Sequence, residues 1–289
     1  MAPTNKVADL IRYYSSELKA FYPEAEAKAL VERLIHFFFT INKLDVVKNP
    51  EVRLNETEML QLHFAVKELK HYKPLQYVVG EADFDGHRFM VNEGVLIPRP
   101  ETEQLVQLAS DFLAEKTHCT VADIGTGSGC IAISLFIRHP QHLFFGFDVS
   151  TAALEVAQTN AELLGAKVNF VACDILNDEA CLCSQKYDLM LSNPPYVVEN
   201  EKHFMQPNVL DWEPDLALFV SENDPLLFYR RIAFLAAQHL NDGGKLMFEI
   251  NERFATETVE LLKGMGFKHI EVFVDFNDKD RFVSAVWNV

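Results

Sequence analysis

An α/β fold, with a mostly parallel seven-stranded sheet behind a small helical domain, is what this sequence predicts. Three observations carry the prediction. Apolar residues recur at helical spacing through the first ~75 residues. From Thr120 onward, short apolar runs alternate with helical patterns, which argues a parallel sheet with helices on both faces. Three glycines at alternate positions, Gly125, Gly127 and Gly129, close the first of those runs. A length of 289 residues allows two domains, and 49% hydrophobic content suits an ordinary globular protein.

Taken in order, Val7, Leu10, Ile11, Tyr14, Leu18 and Phe21 mark a first helix. Pro23 opens a second through Ala27, Leu30, Leu34, Phe37, Phe38 and Ile41. The run Phe37-Phe38-Phe39 reads as core packing rather than a cofactor box. Asn55-Glu56-Thr57-Glu58 places a side-chain cap three residues before an acid, starting a third helix with Leu60, Leu62, Phe64, Val66 and Leu69. Lys67, Lys70, His71 and Lys73 at its end either complement the helix dipole or form a docking patch. From Pro74 to Leu96 the pattern turns to short strands. Asp85-Gly86 forms the hairpin turn between Ala82-Asp83-Phe84 and Arg88-Phe89-Met90-Val91. The boundaries that follow are a helical domain over 1–73, a β-hairpin linker over 74–98 and the α/β domain over 99–289.

The prolines around Arg99 make a rigid entrance to a helix of Leu105, Val106, Leu108, Ala109 and Phe112. Strands are expected at 121–124, 142–147, 167–171 and 187–192, with Ser150 capping the helix of Ala153, Leu154, Val156 and Ala157. After Tyr196 a loop of about thirty residues runs to Asp224-Pro225, a length that is unusual without a site to serve. A helix from Leu226 to Leu240, a strand from Lys245 to Ile250 and a helix around Thr256 to Met265 come next. Strands near Ile270 to Val274 and Phe282 to Trp287 finish the chain.

Asn193-Pro194-Pro195-Tyr196 ends the strand Tyr187-Asp188-Leu189-Met190-Leu191-Ser192. Two prolines fix φ and remove two donors, so the ladder cannot continue. An amide, a proline carbonyl and an aromatic face remain. They suit a planar NH2-bearing group, with two acceptors for its protons and a ring against its flat side. A plain strand-ending turn would carry the same letters. Upstream, glycine lets the backbone approach a ligand with no Cβ in the way. Cys130 stands where a dinucleotide fingerprint needs its third glycine, and no Gly-Lys-Ser/Thr follows. The turn Gly125-Thr126-Gly127-Ser128-Gly129 fits instead the amino-acid portion of S-adenosylmethionine (SAM). Asp148 ends the second strand about 20 residues past the glycines, where a carboxylate can accept ribose hydroxyls. Asp174 past the third strand could accept from the adenine amino group, with Ile175 beside the ring; an N-cap is its other reading. Together these strand ends point to a SAM-dependent methyltransferase.

Composition narrows the classes. Against 26 basic residues stand 42 acids, a formal charge of −16 that argues against a large nucleic-acid footprint. No apolar run approaches the ~20 residues that cross a bilayer, and the start of the chain lacks a signal-peptide pattern. Cys119, Cys130, Cys173, Cys181 and Cys183 include no C-x-x-C pair, and the histidines show no metal spacing. A reduced cytoplasmic protein without a metal is the expectation. Two other readings of these residues stay open. One is an enzyme acting on the exocyclic amine of a flipped base; the other is a silent SAM-binding adaptor.

Further letters make the match more specific. Pro74-Leu75-Gln76-Tyr77 with Gly80, Phe84 and Phe89, then Leu96-Ile97-Pro98-Arg99-Pro100-Glu101-Thr102-Glu103, resembles the bacterial release-factor glutamine methyltransferases (the HemK/PrmC family). So do Asp123-Ile124-Gly125-Thr126-Gly127-Ser128-Gly129, Ser192-Asn193-Pro194-Pro195-Tyr196 and Glu213-Pro214. The resemblance spans essentially the whole chain. It implies a Rossmann-like SAM-dependent methyltransferase domain and methylation of the glutamine amide in the Gly-Gly-Gln motif of class I peptide chain release factors. It also implies an N-terminal substrate-recognition domain, with a ribosomal protein as another conceivable glutamine substrate. On that reading Asn193 Oδ1 and the Pro194 carbonyl accept the amide protons, Pro195 and Tyr196 shape the slot, and Arg99 borders the substrate. The family commonly has an Arg and an aromatic before Glu-Pro, where Asp211-Trp212 stand. It also has a Gly after Glu-Ile/His, where Asn251 stands; both changes are expected to touch loop contacts rather than the motifs.

Overall fold

The structure is a computed structural model that describes residues 4–177, 182 and 185–288. The chain forms two compact units, Met1–Gly80 with Gln206–Trp212, and Glu81–Met205 with Glu213–Val289.

The first unit is helical: α1 (Val7–Leu18), α2 (Glu24–Phe39), α3 (Lys43–Lys48), α4 (Glu56–Leu69) and α5 (Leu75–Val79). Val7, Leu10 and Leu18 are fully buried against Val31, Leu34, Leu62 and Leu69 in one core. Asn55 accepts from the Glu58 backbone N–H at 2.9 Å while the Glu58 carboxylate accepts from the Asn55 N–H at 2.8 Å, a reciprocal cap that starts α4. Asn42 and Asp45 cap α3, a short helix absent from the expected elements, in the same way. Of the apolar residues that mark this helix, Leu62, Val66 and Leu69 are buried, whereas Leu60 and Phe64 are exposed. At 3.6 residues per turn they fall on the opposite face. Within 74–96, where the pattern turns to short strands, Leu75–Val79 form the helix α5. Pro74 presets its entry and Gly80, at φ 79°, ends it in the left-handed region.

In the second unit β1 (Glu81–Phe84) and β2 (His87–Met90) form the expected hairpin, with Asp85 at φ 50° and Gly86 at φ 75° in its turn. There follow α6 (Thr102–Ala114), β3 (Thr120–Ile124), α7 (Cys130–Arg138), β4 (Leu143–Asp148), α8 (Thr151–Leu164), β5 (Val168–Ala172) and β6 (Tyr187–Ser192). The stretch expected as an unstructured loop holds β7 (Val197–Val198), α9 (Pro207–Leu210), α10 (Asp215–Leu218) and β8 (Phe219–Val220). Of these, α9 belongs to the helical unit. The chain ends with α11 (Leu227–His239), β9 (Leu240–Glu249), α12 (Ala255–Gly264), β10 (Lys268–Val274) and β11 (Asp280–Trp287).

The seven-stranded sheet runs β10-β11-β9-β6-β3-β4-β5. It is parallel except for β11, which pairs antiparallel with both β9 and β10. Alternate residues feed two cores: Ala122, Ile124 and Met190 pack with α11 and α12, while Val121, Leu189 and Leu191 pack with α6 and α7. Strand order reverses between β3 and β6, and the crevice beyond the carboxyl ends of the strands at such a switch point is where open α/β sheets bind ligands. Cys119 and Cys130 are free and buried. Cys181 and Cys183 lie outside the described residues. Among the described residues no helix is long and apolar enough to cross a membrane.

Candidate active site

The carboxyl ends of β3, β4 and β6, with the turn after β5, surround a cavity of about 240 Å³. The glycine turn is stitched to β4, for Gly125 N and Thr126 N both donate to the Phe147 carbonyl, at 2.8 and 2.9 Å. Gly125 and Gly127 line the cavity with Asp148, Asp174 and Ile175. Asn193, Pro194 and Pro195 line it from the β6 side. The remaining expected cofactor residues, Thr126, Ser128 and Gly129, stand behind this wall. Thr126 Oγ1 donates to Asp123 Oδ2 at 2.7 Å, and the Ser128 carbonyl accepts from Asn160 Nδ2 at 2.9 Å. Gly129 takes φ 79°, where an added Cβ would stand 2.9 Å from Ile133 and 3.1 Å from Ala157.

The acids at the strand ends are partly engaged. Asp148 Oδ2 accepts from Gly127 N and Oδ1 from Ser150 N, each at 2.9 Å. Burial pushes its carboxyl above the ordinary range, with those backbone N–H groups pulling the other way. Asp174 accepts from Leu176 N at 3.0 Å and Asn177 Nδ2 at 2.8 Å, so it closes its own turn rather than capping a helix. Asp123 is fully buried; burial raises its carboxyl to about 7, against the Thr126 hydrogen bond.

A polar chain runs behind Asn193. Its Nδ2 donates to Thr102 Oγ1 at 3.2 Å, and that hydroxyl donates to Glu249 Oε2 at 2.7 Å. Tyr196 OH donates to the other Glu249 oxygen at 3.2 Å. Glu249 is 1% exposed, and burial raises its carboxyl while the Thr102 hydrogen bond, the Arg281 charge and Tyr196 lower it. Burial and then the Glu249 charge push the Tyr196 phenol up. Asn251 Nδ2 donates to the Tyr196 carbonyl at 3.2 Å, so the change at Asn251 does reach the motif, contrary to expectation. Its amide is long enough to span to that carbonyl, which a glycine could not do. Arg99 pairs with the buried Glu213 at 2.6 Å, and Glu213 also accepts from Ile97 N at 3.2 Å. That pair anchors the chain just before Pro214, Leu216 and Ala217, which line the cavity.

Thr102 and Asp123 stand inside sequence motifs that give them no role of their own, and Glu249 stands outside every motif. A lone acid closing the apolar run Leu246-Met247-Phe248 is the signal that Glu249 offered.

Residues 102–209 match the Methyltransferase small domain, and residues 9–80 match the PrmC N-terminal domain. The release factor glutamine methyltransferase of Flavobacterium psychrophilum is 41% identical over 283 residues, which cover 96% of this chain and 99% of that protein. That of Bacteroides thetaiotaomicron is 40% identical, covering 94% and 97%. This chain belongs to the release factor glutamine methyltransferase family. The solved hMettl16 catalytic domain shares the fold, with a TM-score of 0.54 at 17% identity over 81% of this chain and 82% of that one.

Members of the release factor glutamine methyltransferase family draw their methyl group from SAM, and the cavity residues fit that group. A Cβ built at Gly125 or Gly127 would meet nothing within 4 Å, so the turn leaves its backbone open to a ligand. Ile124, Phe147, Ile175 and Phe228 give an apolar lining, while the Asp148 and Asp174 carboxylates add acceptors at the strand ends.

Proposed function

We propose that this release factor glutamine methyltransferase methylates the side-chain amide of the glutamine in the Gly-Gly-Gln motif of class I peptide chain release factors, with Asn193, Pro194 and Tyr196 as the groups that meet it. One observation carries the reading. The Asn193 amide lines the cavity with its NH2 end tied to Thr102, which leaves Oδ1 as the end offered to a ligand.

SAM supplies an electrophilic methyl group on a sulfonium. An amide nitrogen is a poor nucleophile because its lone pair is delocalised into the carbonyl. Asn193 Oδ1 and the Pro194 carbonyl each accept one of its protons, fixed dipoles aimed where positive charge develops on nitrogen. Pro195 and the Tyr196 ring keep the amide plane in register and exclude water. Bound in the cavity, SAM would supply the methyl group to a nitrogen whose two protons Asn193 Oδ1 and the Pro194 carbonyl hold, so these residues contribute positioning more than general-base chemistry. Gly125, Gly127, Asp148, Asp174 and Ile175 hold the cofactor directly, and Thr126, Ser128 and Gly129 shape the turn. Arg99 contributes through its hold on Glu213, and the helical unit recognises the factor. An acidic chain of this kind works on protein in the cytoplasm, without stable nucleic-acid binding or a membrane.

Labelled SAM is offered with a purified release factor, and with the same factor carrying alanine at the Gly-Gly-Gln glutamine. Label on the unaltered factor alone is the expected result; equal label on both overturns the reading. Asn193→Ala is expected to lose about 100- to 1,000-fold in kcat with the fold intact, the scale of deleting one preorganised polar group. Near-normal turnover in that variant would remove Asn193 from the chemistry.

A further inference from the structure

Glu249 lies at the end of β9, outside the cavity lining, and the hydroxyls of Thr102 and Tyr196 converge on its carboxylate. An ionised carboxylate can only accept, whereas a hydroxyl has one proton to give. The Thr102 proton is therefore committed to Glu249 Oε2, at 2.7 Å, and what Thr102 shows to Asn193 is a lone pair. Of the two ends of the Asn193 amide, only the NH2 can meet a lone pair, and it does so at 3.2 Å. Tyr196, three residues after Asn193, gives its proton to Glu249 Oε1 at 3.2 Å. Glu249 and Thr102 are 1% and 3% exposed, so water does not compete for these bonds.

We propose that Thr102 and Glu249 are positioning residues that set the polarity of the Asn193 amide, turning its carbonyl oxygen toward the substrate and holding Tyr196 in the same frame. The proposal rests on the role given to Asn193 above. Without the chain of donors the amide can turn over and offer NH2 to another NH2, a donor against a donor. Asn193 would still be present and the cavity still formed, but the nucleophile would meet the wrong end. Glutamine at 249 breaks the logic differently, for its own NH2 must face one of the two hydroxyls and reverse that bond.

Thr102→Val keeps the shape and removes the hydroxyl; Thr102→Ser keeps the hydroxyl. Both, with Glu249→Gln and Asn193→Ala, are assayed for methyl transfer to the release factor, for SAM binding by calorimetry and for melting. Thr102→Val is expected to lose about 100-fold in kcat, the cost of a misplaced reacting group, with KM for the factor and Kd for SAM unchanged. Thr102→Ser restores kcat to within about threefold of the parent, and Glu249→Gln combined with Thr102→Val is no worse than the worse single change, as for residues acting as one unit. A merely structural role would lower the melting temperature and weaken SAM binding instead, and would not discriminate serine from valine in kcat. Normal turnover in Thr102→Val beside a crippled Asn193→Ala overturns this proposal alone. Normal turnover in Asn193→Ala overturns the role of Asn193 first. Should Thr102→Val not fold, Thr102→Ala takes its place with the same readouts.

Discussion

Asp123 is the penultimate residue of β3, 0% exposed, with Oδ2 bound to Thr126 and Oδ1 without a partner. Its carboxyl is raised from an ordinary 3.8 to about 7, chiefly by burial, with the nearby Asp148 charge adding to the rise. A raised carboxyl stabilises the fold where it is protonated. That contribution is fully present below about pH 4 and is lost as the pH climbs through about 7. The loss amounts to something on the order of 4 kcal/mol. Asp123→Asn keeps the shape without the charge, so its melting temperature is expected to gain on the parent steadily between pH 4 and 7, and to hold that gain above. A gap that ignores pH would mean Asp123 is ionised throughout. Residues of this kind divide by how they can be read. Asn193 and the glycines stand in contiguous letters whose geometry is local, so the sequence displays them. Thr102 and Glu249 meet across 147 residues, and only the packing of α6 against β9 makes them neighbours. No spacing rule reaches that far.

At the scale of elements, the turn between β3 and α7 uses its glycines for different ends. Gly127, at φ 53°, opens to empty space, whereas Gly129, at φ 79°, is wedged against Ile133, Ala157 and Phe170. Gly129→Ala combines left-handed strain with overpacking and is expected to cost roughly 2–4 kcal/mol of stability in a denaturant melt. Gly127→Ala carries the strain alone, roughly 1–2 kcal/mol, but its methyl projects where the ligand approaches, so SAM binding suffers first. Equal stability losses with equal SAM affinities would erase the distinction. The same physics explains which elements the sequence displayed. Strands β3 to β6 are short apolar runs with strong punctuation, and they appear within a residue or two of expectation. Helix α5 was hidden because five residues are too few to show a period. Strand β9 starts at Leu240 rather than Lys245, carrying Gly243 and Gly244 inside it with a register shift against β6, because pairing with neighbours overrides weak strand propensity.

For the molecule as a whole, the least legible feature is the path after Tyr196. The chain leaves the α/β unit after Met205, gives Gln206–Trp212 to the helical unit and returns at Glu213. Within the helical unit Trp212 Nε1 donates to the His71 carbonyl at 2.9 Å, and the Lys73 ammonium lies 5.0 Å from the Trp212 ring centre. Two of the residues that read as a basic helix end therefore hold a segment from far along the chain. On its return Glu213 is clamped by Arg99, and Pro214 joins the cavity wall. A fragment of residues 81–289 keeps both cores of the sheet and every residue that lines the cavity, but leaves Trp212 without His71 and Lys73. It is expected to fold and to bind SAM, and to be cut by chymotrypsin after Leu210 or Trp212, where the full chain resists. Identical digests of fragment and full chain would mean that 206–212 is held without the helical unit. A folded fragment blind to SAM would mean that the cavity wall depends on residues 1–80 beyond the lining that the α/β unit supplies by itself.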